Sequence, residues 1–390
     1  MSPTHSIWQQ PPQPTSFDIV IVGGGIMGCA TAYWLRQIDP SMHVAILEAE
    51  YLAYGASGRN AGFLLLGTHT DYASAVDATG REKAHRLWTF TAENARLIAE
   101  LGGEAFDLQP TGSMVVAGSE TEDERLRRSA GLLIEDGVDA EYLDANRTNK
   151  RLQSQGFYGS VAITGGGMLD PAKLVRHLAT ESGATVLEKW PAESLGNDGE
   201  FTRISSPAGE IRARHVVLTL NAFLPKLVPA LANIVRPVRA QMLSTEPVEL
   251  LLGHPVYSHE GFVYIRQRSD GRILLGGARH LHLEEEVGYE DATTATLQAD
   301  LEAYLARHFP VVGTPKIERR WSGTMGFSPD SLPVVGRIPG PSSVHFAAGF
   351  TGHGMGFSVR FGQLIARAVL EEPDPAFDLF SASRLGIDAA

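Results

Sequence analysis

The sequence predicts an α/β fold in which a Rossmann-like nucleotide-binding domain interleaves with an α+β domain built on an antiparallel sheet. Three observations carry this. Asp18 to Gly28 reads as a buried strand, a glycine turn and the opening of a helix, and His43 to Glu48 reads as a second strand ending in a carboxylate. A helix-then-strand pattern returns at Asp170 to Leu187 and is followed by another strand over Ile211 to Leu220. From Val235 to Gly277 the pattern changes to short strands, the last two joined by the hairpin turn Ser269-Asp270-Gly271.

In the first unit, Gly23 permits the turn, Gly25 lets the backbone approach a pyrophosphate, and Gly28 lets helix and strand pack closely. Ile26 and Met27 open a helix whose free N–H groups and positive dipole end suit phosphate. Glu48, followed by Ala49, is placed to accept hydrogen bonds from a ribose.

After Glu48 comes Tyr54 to Gly62, dense in small residues. A helix is expected from about Glu82 to Leu101, a strand over Gln109 to Gly118, and a charged helix over Glu120 to Glu135. Asp170-Pro171 is an N-cap with proline at the first helical position, opening a helix to about Ser182. Strands follow over Val235 to Glu246, Gly261 to Arg268 and Arg272 to Gly277, then a helix from Asp291 to His308 and a segment Lys316 to Thr324. The C-terminal part returns to α/β character: Val334 to Gly336, Val344 to Ala347, a glycine-rich loop from Gly349 to Gly354, and a helix to about Leu370.

At 390 residues two domains are expected. The net charge of −12 argues against a nucleic-acid or anionic-membrane partner. The single cysteine, Cys29, excludes an intramolecular disulfide or a cysteine-based cluster and reads as a buried thiol in the first helix. Residues 1–16, with Gln9-Gln10-Pro11-Pro12-Gln13-Pro14, read as a mobile tail without an export signal. No apolar run is long enough to span a bilayer, so the cytoplasm is the expected location. His280 and His282 beside Glu284, Glu285 and Glu286 read as a solvated charged loop, and no metal is expected.

Four features favour FAD over NAD. The binding unit lies at the N-terminus, a small-residue motif follows the second strand, a further nucleotide-domain strand lies far downstream, and the C-terminal segment carries Pro329 to Gly336 and then the Gly349 to Gly356 loop. With these motifs, and with Gly55-Ala56-Ser57-Gly58-Arg59-Asn60, Leu220-Asn221-Ala222 and Trp321-Ser322-Gly323, the sequence resembles the D-amino-acid oxidase-like superfamily of FAD-dependent oxidoreductases. Relatives there include glycine oxidase, sarcosine oxidase, D-amino-acid dehydrogenase and γ-glutamylputrescine oxidase, and the resemblance spans about Phe17 to Leu370.

The resemblance implies non-covalent FAD, because the cysteine that carries a covalent flavin in some relatives has no counterpart around Trp321 to Met325. It implies that Ala56, Ser57, Arg59, Asn60, Ala61 and Gly62 lie along the pyrophosphate and flavin and that Val186 gives backbone contacts to the adenine. Asn221, Ala222, Gly323, Gly349, Thr351, Gly352, His353, Gly354 and Met355 join them, the last five against the pyrimidine edge of the flavin. The implied division is an FAD-binding domain of 17–80, 151–232 and 318–390 and a substrate domain of 81–150 and 233–317.

The expected reaction oxidises the CH–NH bond of an amine or amino acid by hydride transfer to the flavin, giving an imine that water hydrolyses. The electrons leave to oxygen or to a carrier. A chain acting as the flavin-bearing subunit of a larger complex is the alternative. Leu274 and Gly356 stand where sarcosine oxidases have lysines, and no arginine occupies the place near Met325 and Gly326 where glycine oxidase has one. Candidates to hold substrate are Tyr264 and Arg266, on one face of the hairpin with Phe262 and Arg268, with a solvated outer face as the competing reading of those positions. His353 is expected at the flavin edge, Arg279 and His280 could border the pocket, and Tyr257 and His259 are weaker candidates.

Overall fold

The computed structural model describes residues 15–340 and 343–387. Two eight-stranded sheets organise them. The first has five parallel strands in the spatial order Val344–Ala348, Gly209–Leu218, Thr15–Val22, Val44–Leu47 and Thr185–Leu187. Val334–Arg337 closes one edge antiparallel, and a hairpin of Ser194–Asp198 and Phe201–Ser206 extends the long Gly209–Leu218 strand. Val20, Ile21, Ala45, Ile46 and Val217 are fully buried, as strands covered on both faces require.

One face of this sheet carries the helices Ile26–Ile38, Arg81–Glu100, Pro171–Ser182 and Gly354–Val369. The first and last approach so closely that a Cβ at Gly362 would lie 2.5 Å from Ala30 Cβ. Asn94, fully buried on the Arg81–Glu100 helix, donates from Nδ2 to Met355 O at 3.0 Å and accepts at Oδ1 from the N–H groups of Val359 and Arg360 at 2.8 and 3.1 Å. A side-chain amide thus clamps the second turn of the Gly354–Val369 helix to its neighbour.

The second sheet runs in the order Ile317–Phe327, Arg236–Pro247, Arg272–Gly277, Val263–Gln267, Val256–Ser258, Ser113–Ala117, Gly159–Ile163 and Ala140–Asp144. Every neighbouring pair is antiparallel except Val256–Ser258 with Ser113–Ala117. The Ala295–His308 helix packs on it around Leu297, Leu301, Phe309 and Ile265. At its edge the buried Arg239–Glu286 pair, 2.8 Å apart, is completed by Gln241 Nε2 donating to the same carboxylate at 2.7 Å.

The expected turn over 269–271 joins its hairpin, with Gly271 at φ +87°. The expected helices over 120–135 and 171–182 match the observed ones, and their caps explain why: Ser119 accepts from Glu122 N–H, and Asp170 from Ala172 and Lys173. Four expectations need correction. The Arg81–Glu100 helix, assigned above to the substrate half, packs with Leu87, Phe90 and Ile98 into the core of the first sheet. Residues 1–14 of the expected tail lie outside the described residues, whereas Thr15 and Ser16 already pair with Ile211 and Arg212 in the first strand. Gly159–Ile163, assigned above to the nucleotide half, pairs with Ser113–Ala117 in the second sheet, where Val161 and Ile163 are buried. Ile317–Phe327 likewise pairs along its length with Arg236–Pro247.

Candidate active site

The glycine turn lies at the centre of the first sheet, where a helix start faces the ends of two parallel strands. A Cβ on Gly28 would sit 2.1 Å from Gly23 O, so only glycine lets the helix return over its own strand. No side chain of its N-cap residue, Gly25, caps the helix. Instead Ser57 Oγ accepts from the Ile26 N–H at 2.9 Å, a hydroxyl standing at the mouth of the helix where anions bind. Gly25 leaves room for that contact, since a Cβ there would meet the same oxygen at 2.9 Å. Met27 is buried behind the turn.

Glu48 ends the Val44–Leu47 strand, half-buried. Its Oε2 accepts from Gly24 N–H at 2.8 Å and its Oε1 from Glu50 N–H at 3.0 Å. Each oxygen keeps a lone pair for a ribose hydroxyl. Ala49 is exposed beside it, and Val186 lies one strand over on the edge strand Thr185–Leu187, opposite Ile46. Open backbone at a sheet edge suits the backbone contacts expected of Val186.

The small-residue segment forms a one-turn helix, Ala56–Arg59. Asn60 locks its exit: Nδ2 donates to Ala56 O and Ser57 O at 3.0 and 2.9 Å, and Oδ1 accepts from Gly62 N–H at 2.7 Å. The Arg59 guanidinium is directed away from the glycine turn. Its Nε donates to Tyr54 O at 2.9 Å, and its Nη1 to Ser322 O at 2.9 Å and Asp291 at 2.7 Å. Arg59 therefore ties the small-residue segment to the second sheet, and its expected place along the pyrophosphate is carried by the segment it belongs to and not by these contacts. Gly323 makes the crossing possible, because a Cβ there would press on Arg59 Cβ at 3.1 Å.

The loop from Gly349 to Gly354 is suspended from both sheets. Gly349 N–H donates to Asn221 Oδ1 at 3.0 Å, and Thr351 N–H donates to Gly326 O at 2.8 Å. Thr351 Oγ1 donates to Gly349 O at 3.2 Å and accepts from Ser328 N–H at 3.3 Å. Thr351 has φ +45°, rare for a β-branched residue and held only by these surroundings. Ala222 is buried at the crossing, and its carbonyl accepts from Tyr289 Oη at 2.9 Å. The loop delivers Gly354 and Met355 to the start of the Gly354–Val369 helix, whose N-cap residue, His353, makes no capping side-chain bond. Gly352 is exposed on the rim.

Opposite this helix start stands an aromatic wall. Ala61, Phe63, Leu65 and Met242 are buried together, with Tyr257, Tyr264, Leu274 and Trp321 against them. Tyr264 stacks on Tyr257 at 5.8 Å and meets Phe63 edge-on at 6.3 Å; Tyr257 meets His353 edge-on at 5.7 Å. Gly276 is needed here, since a Cβ would lie 2.3 Å from the Tyr264 ring. Burial holds the Tyr264 phenol protonated, pushed up to about 12, and raises Tyr257 too. Desolvation, then the neighbouring His69, lowers His353 to about 3, so the imidazole is neutral near pH 7.

Arg266 shares the face of Tyr264, which looks inward toward residues 61–63. Its Nη1 donates to Ala61 O and Gly62 O, each at 3.0 Å, and to Leu169 O at 2.8 Å. The side chain is buried, and desolvation lowers it to about 10. Nη1 braces the small-residue segment, whereas Nε is buried without a partner among the described residues. Phe262 and Arg268 fall outside the Val263–Gln267 strand. His259 sits among His280, Tyr304 and His308, away from the aromatic wall. Sequence reasoning missed Asn94, Phe63 and Met242. Phe63 had one legible signal, its position directly after the small-residue motif.

A cavity of about 240 Å³ opens beside His353. It runs from Leu65 and Tyr257 past His69 to Glu122 and Arg125.

A phosphate-ready helix start, an acid beside it and a second helix start facing aromatic rings define a flavin-nucleotide oxidoreductase fold. The chain belongs to the family described as FAD dependent oxidoreductase, whose model matches residues 18–368. It is an FAD-dependent enzyme of that family. It is 25% identical to gamma-glutamylputrescine oxidoreductase of Escherichia coli (strain K12), over 93% of this chain and 86% of the relative. It is 25% identical to sarcosine oxidase subunit beta of an Arthrobacter species, over 85% of this chain and 82% of that one. The solved structure of glycine oxidase from Geobacillus kaustophilus superposes with a TM-score of 0.78 at 23% identity, covering 95% of this chain and 99% of that one. Among the described residues no helix is long and apolar enough to cross a membrane.

Proposed function

We propose that this enzyme oxidises the C–N bond of an amine or amino acid at the aromatic wall formed by Tyr257, Tyr264 and Phe63. The observation that carries the reading is the placement of that wall opposite the uncapped start of the Gly354–Val369 helix. Gly23, Gly25, Ile26, Ser57 and Glu48 would hold the pyrophosphate and ribose, and Thr351 to Met355 would border the ring. FAD, when bound, would supply the acceptor for the hydride, a proton with two electrons, that leaves the substrate carbon. The helix start favours negative charge developing beside it, by up to about 2 kcal/mol when partly buried.

The chain's own residues supply orientation and a dry surface. Tyr264, protonated, can donate a hydrogen bond to substrate. His353, neutral, can accept one and adds no charge that would oppose a developing cation. An apolar wall also favours the neutral amine, the form that can release hydride. The product imine is hydrolysed by water after the transfer.

A second reading, a flavin-bearing subunit of a larger assembly, is supported by the similarity to a sarcosine oxidase beta subunit. Oxygen and a protein carrier are both open as acceptors, and the cytoplasm is the compartment to check by cell fractionation. In either reading the first sheet serves the nucleotide and the second serves the substrate. The test is anaerobic: FAD-loaded protein is mixed with glycine, sarcosine, proline and putrescine derivatives, and the visible flavin band is followed. Bleaching by at least one amine is expected, and admitting air then separates oxidase from dehydrogenase. A band that responds to dithionite but to no amine would sink the proposal.

A further inference from the structure

The cavity beside His353 has room for much more than a reacting C–N bond. One water needs about 10–15 Å³ of such space, and the cavity offers about 240 Å³. At one end it meets the aromatic wall through Tyr257 and His353. Leu65, Leu126, Leu133 and Val161, all buried, give it apolar sides. Its far end is charged, and the charges do not balance. Three carboxylates line it, Asp71, Glu122 and Glu260, against one cation, Arg125. Burial keeps His69 and His353 neutral near pH 7, so neither offsets the acids.

Arg125 is already engaged. It pairs with Glu260 and lies 3.7 Å from Asp71. Asp71 is held further by the hydroxyls of Ser74 and Ser129, each donating at 2.7 Å. Glu122 differs. It is 6% exposed, and among the described residues it makes no ion pair. Its oxygens accept only from backbone, Gly118 N–H at 2.7 Å and Glu260 N–H at 2.5 Å, and each keeps a lone pair. Desolvation raises this carboxyl above its ordinary range, against the pull of the two N–H groups. A buried carboxylate without a cation is unfavourable, and a cation arriving beside it removes the penalty. The backbone is bent to present the group: His259 and Glu260, at φ +52° and +56°, turn Glu260 N–H onto Glu122 while the Glu260 side chain reaches Arg125. Between the two ends, His69 Nδ1 is buried with no partner among the described residues, a second polar atom left for a ligand.

We propose that the cavity ends in a cation subsite at Glu122, so that the preferred substrate is an amine carrying a second cationic group across an apolar spacer. This rests on the reading of the aromatic wall as an amine-oxidising centre, which puts the reacting C–N bond beside Tyr257 and His353. The excess of acids sets the sign of the distant group, and the apolar sides set the character of the spacer. A plain alkyl tail would fill the same space but leave Glu122 buried without a counter-charge. The subsite can be tested without turnover.

The experiment uses FAD-loaded protein whose flavin has been reduced with dithionite under anaerobic conditions, so that no probe turns over. Putrescine, butylamine, aminobutanol and γ-aminobutyrate, which share a four-carbon spacer, are titrated by calorimetry. Putrescine should bind about 10- to 100-fold more tightly than butylamine, the range of hydrogen bonds to charged groups, with γ-aminobutyrate weakest. Glu122→Gln should bring putrescine within about threefold of butylamine. Glu260→Gln, at an exposed position, releases Arg125 toward the remaining acids and should also cut the preference, which decides the matter if the buried variant does not fold. Equal binding of putrescine and butylamine, tightest binding of γ-aminobutyrate, a preference that survives either substitution in folded protein, or no binding of any probe would each overturn the subsite. A Glu122-dependent preference for putrescine in a protein whose oxidised flavin no amine bleaches would uphold the subsite and overturn the amine-oxidising reading alone.

Discussion

Asn94 holds Met355 across two helices: its amide donates to the Met355 carbonyl at 3.0 Å while its carbonyl oxygen takes the N–H groups of Val359 and Arg360. The contact lies one turn beyond the helix start that faces the aromatic wall. Asn94 is therefore a positioning residue for that start.

Asn94→Leu should destabilise the protein by about 3 kcal/mol, since it leaves several buried polar groups without their partner. Asn94→Asp should cost a similar amount, because a carboxylate cannot donate to Met355 O. Thermal denaturation checks both. FAD affinity should fall in each, because the helix start is released from its register.

The two glycines of the turn should respond differently. Gly28→Ala places a methyl 2.1 Å from a backbone oxygen and should prevent correct folding. Gly25→Ala meets only the Ser57 hydroxyl, which can rotate away. It should fold with a loss of about 1 kcal/mol and still bind FAD at least about tenfold more weakly, as read by flavin fluorescence on titration.

Arg266→Met should unfold at lower temperature, by about 3 kcal/mol of stability, as three carbonyls lose their donor. In whatever fraction folds, KM should stay near that of the parent if bracing the small-residue segment is the whole role of Arg266. A large rise in KM at unchanged stability would contradict this.

His353 sets a pH dependence with a definite sign. Its folded value, about 3, lies below the ordinary 6.5, so the unfolded chain binds the extra proton first. Stability contributed by the neutral imidazole is therefore full above about pH 6.5 and is lost as pH falls toward about 3. The limiting slope is about 1.4 kcal/mol per pH unit. His353→Gln should flatten denaturant midpoints across that window while leaving them unchanged at pH 8. In the parent, His353 should produce no inflection in kcat/KM near pH 6.5.

The glycine turn, the cap at Asp170 and the 269–271 hairpin were legible in the sequence because each depends on a few adjacent residues. The strand-turn-helix motif that carries the proposed nucleotide residues was legible, but the long-range contacts of two arginines, one expected at the nucleotide and one at the substrate, were not. Arg59 spans to Ser322, and Arg266 spans to Leu169, across separations no local pattern reports. Tyr264 and Arg266 do share a face, as period-two alternation requires; whether that face met solvent or protein depended on residues 61–63 arriving from a distant part of the chain. Asn94 was illegible for the same reason, since a buried asparagine in a helix looks like an exposed one until its partner helix is known. Gly159–Ile163 was misassigned because its pairing partner, Ser113–Ala117, lies across two helices and another strand in the chain.

The Thr15–Val22 strand has Val44–Leu47 on one side but finds its other partner only in Gly209–Leu218, and that strand in turn waits for Val344–Ala348. A ribosome must therefore deliver nearly the whole polypeptide before the cofactor's cradle has both its walls, and until Gly209–Leu218 arrives one edge of the apolar Ile19 to Val22 strand stands unmatched. Truncation near the C-terminus should be as damaging to cofactor retention as a lesion in the glycine turn, and chaperone dependence during synthesis is the cost of this threading.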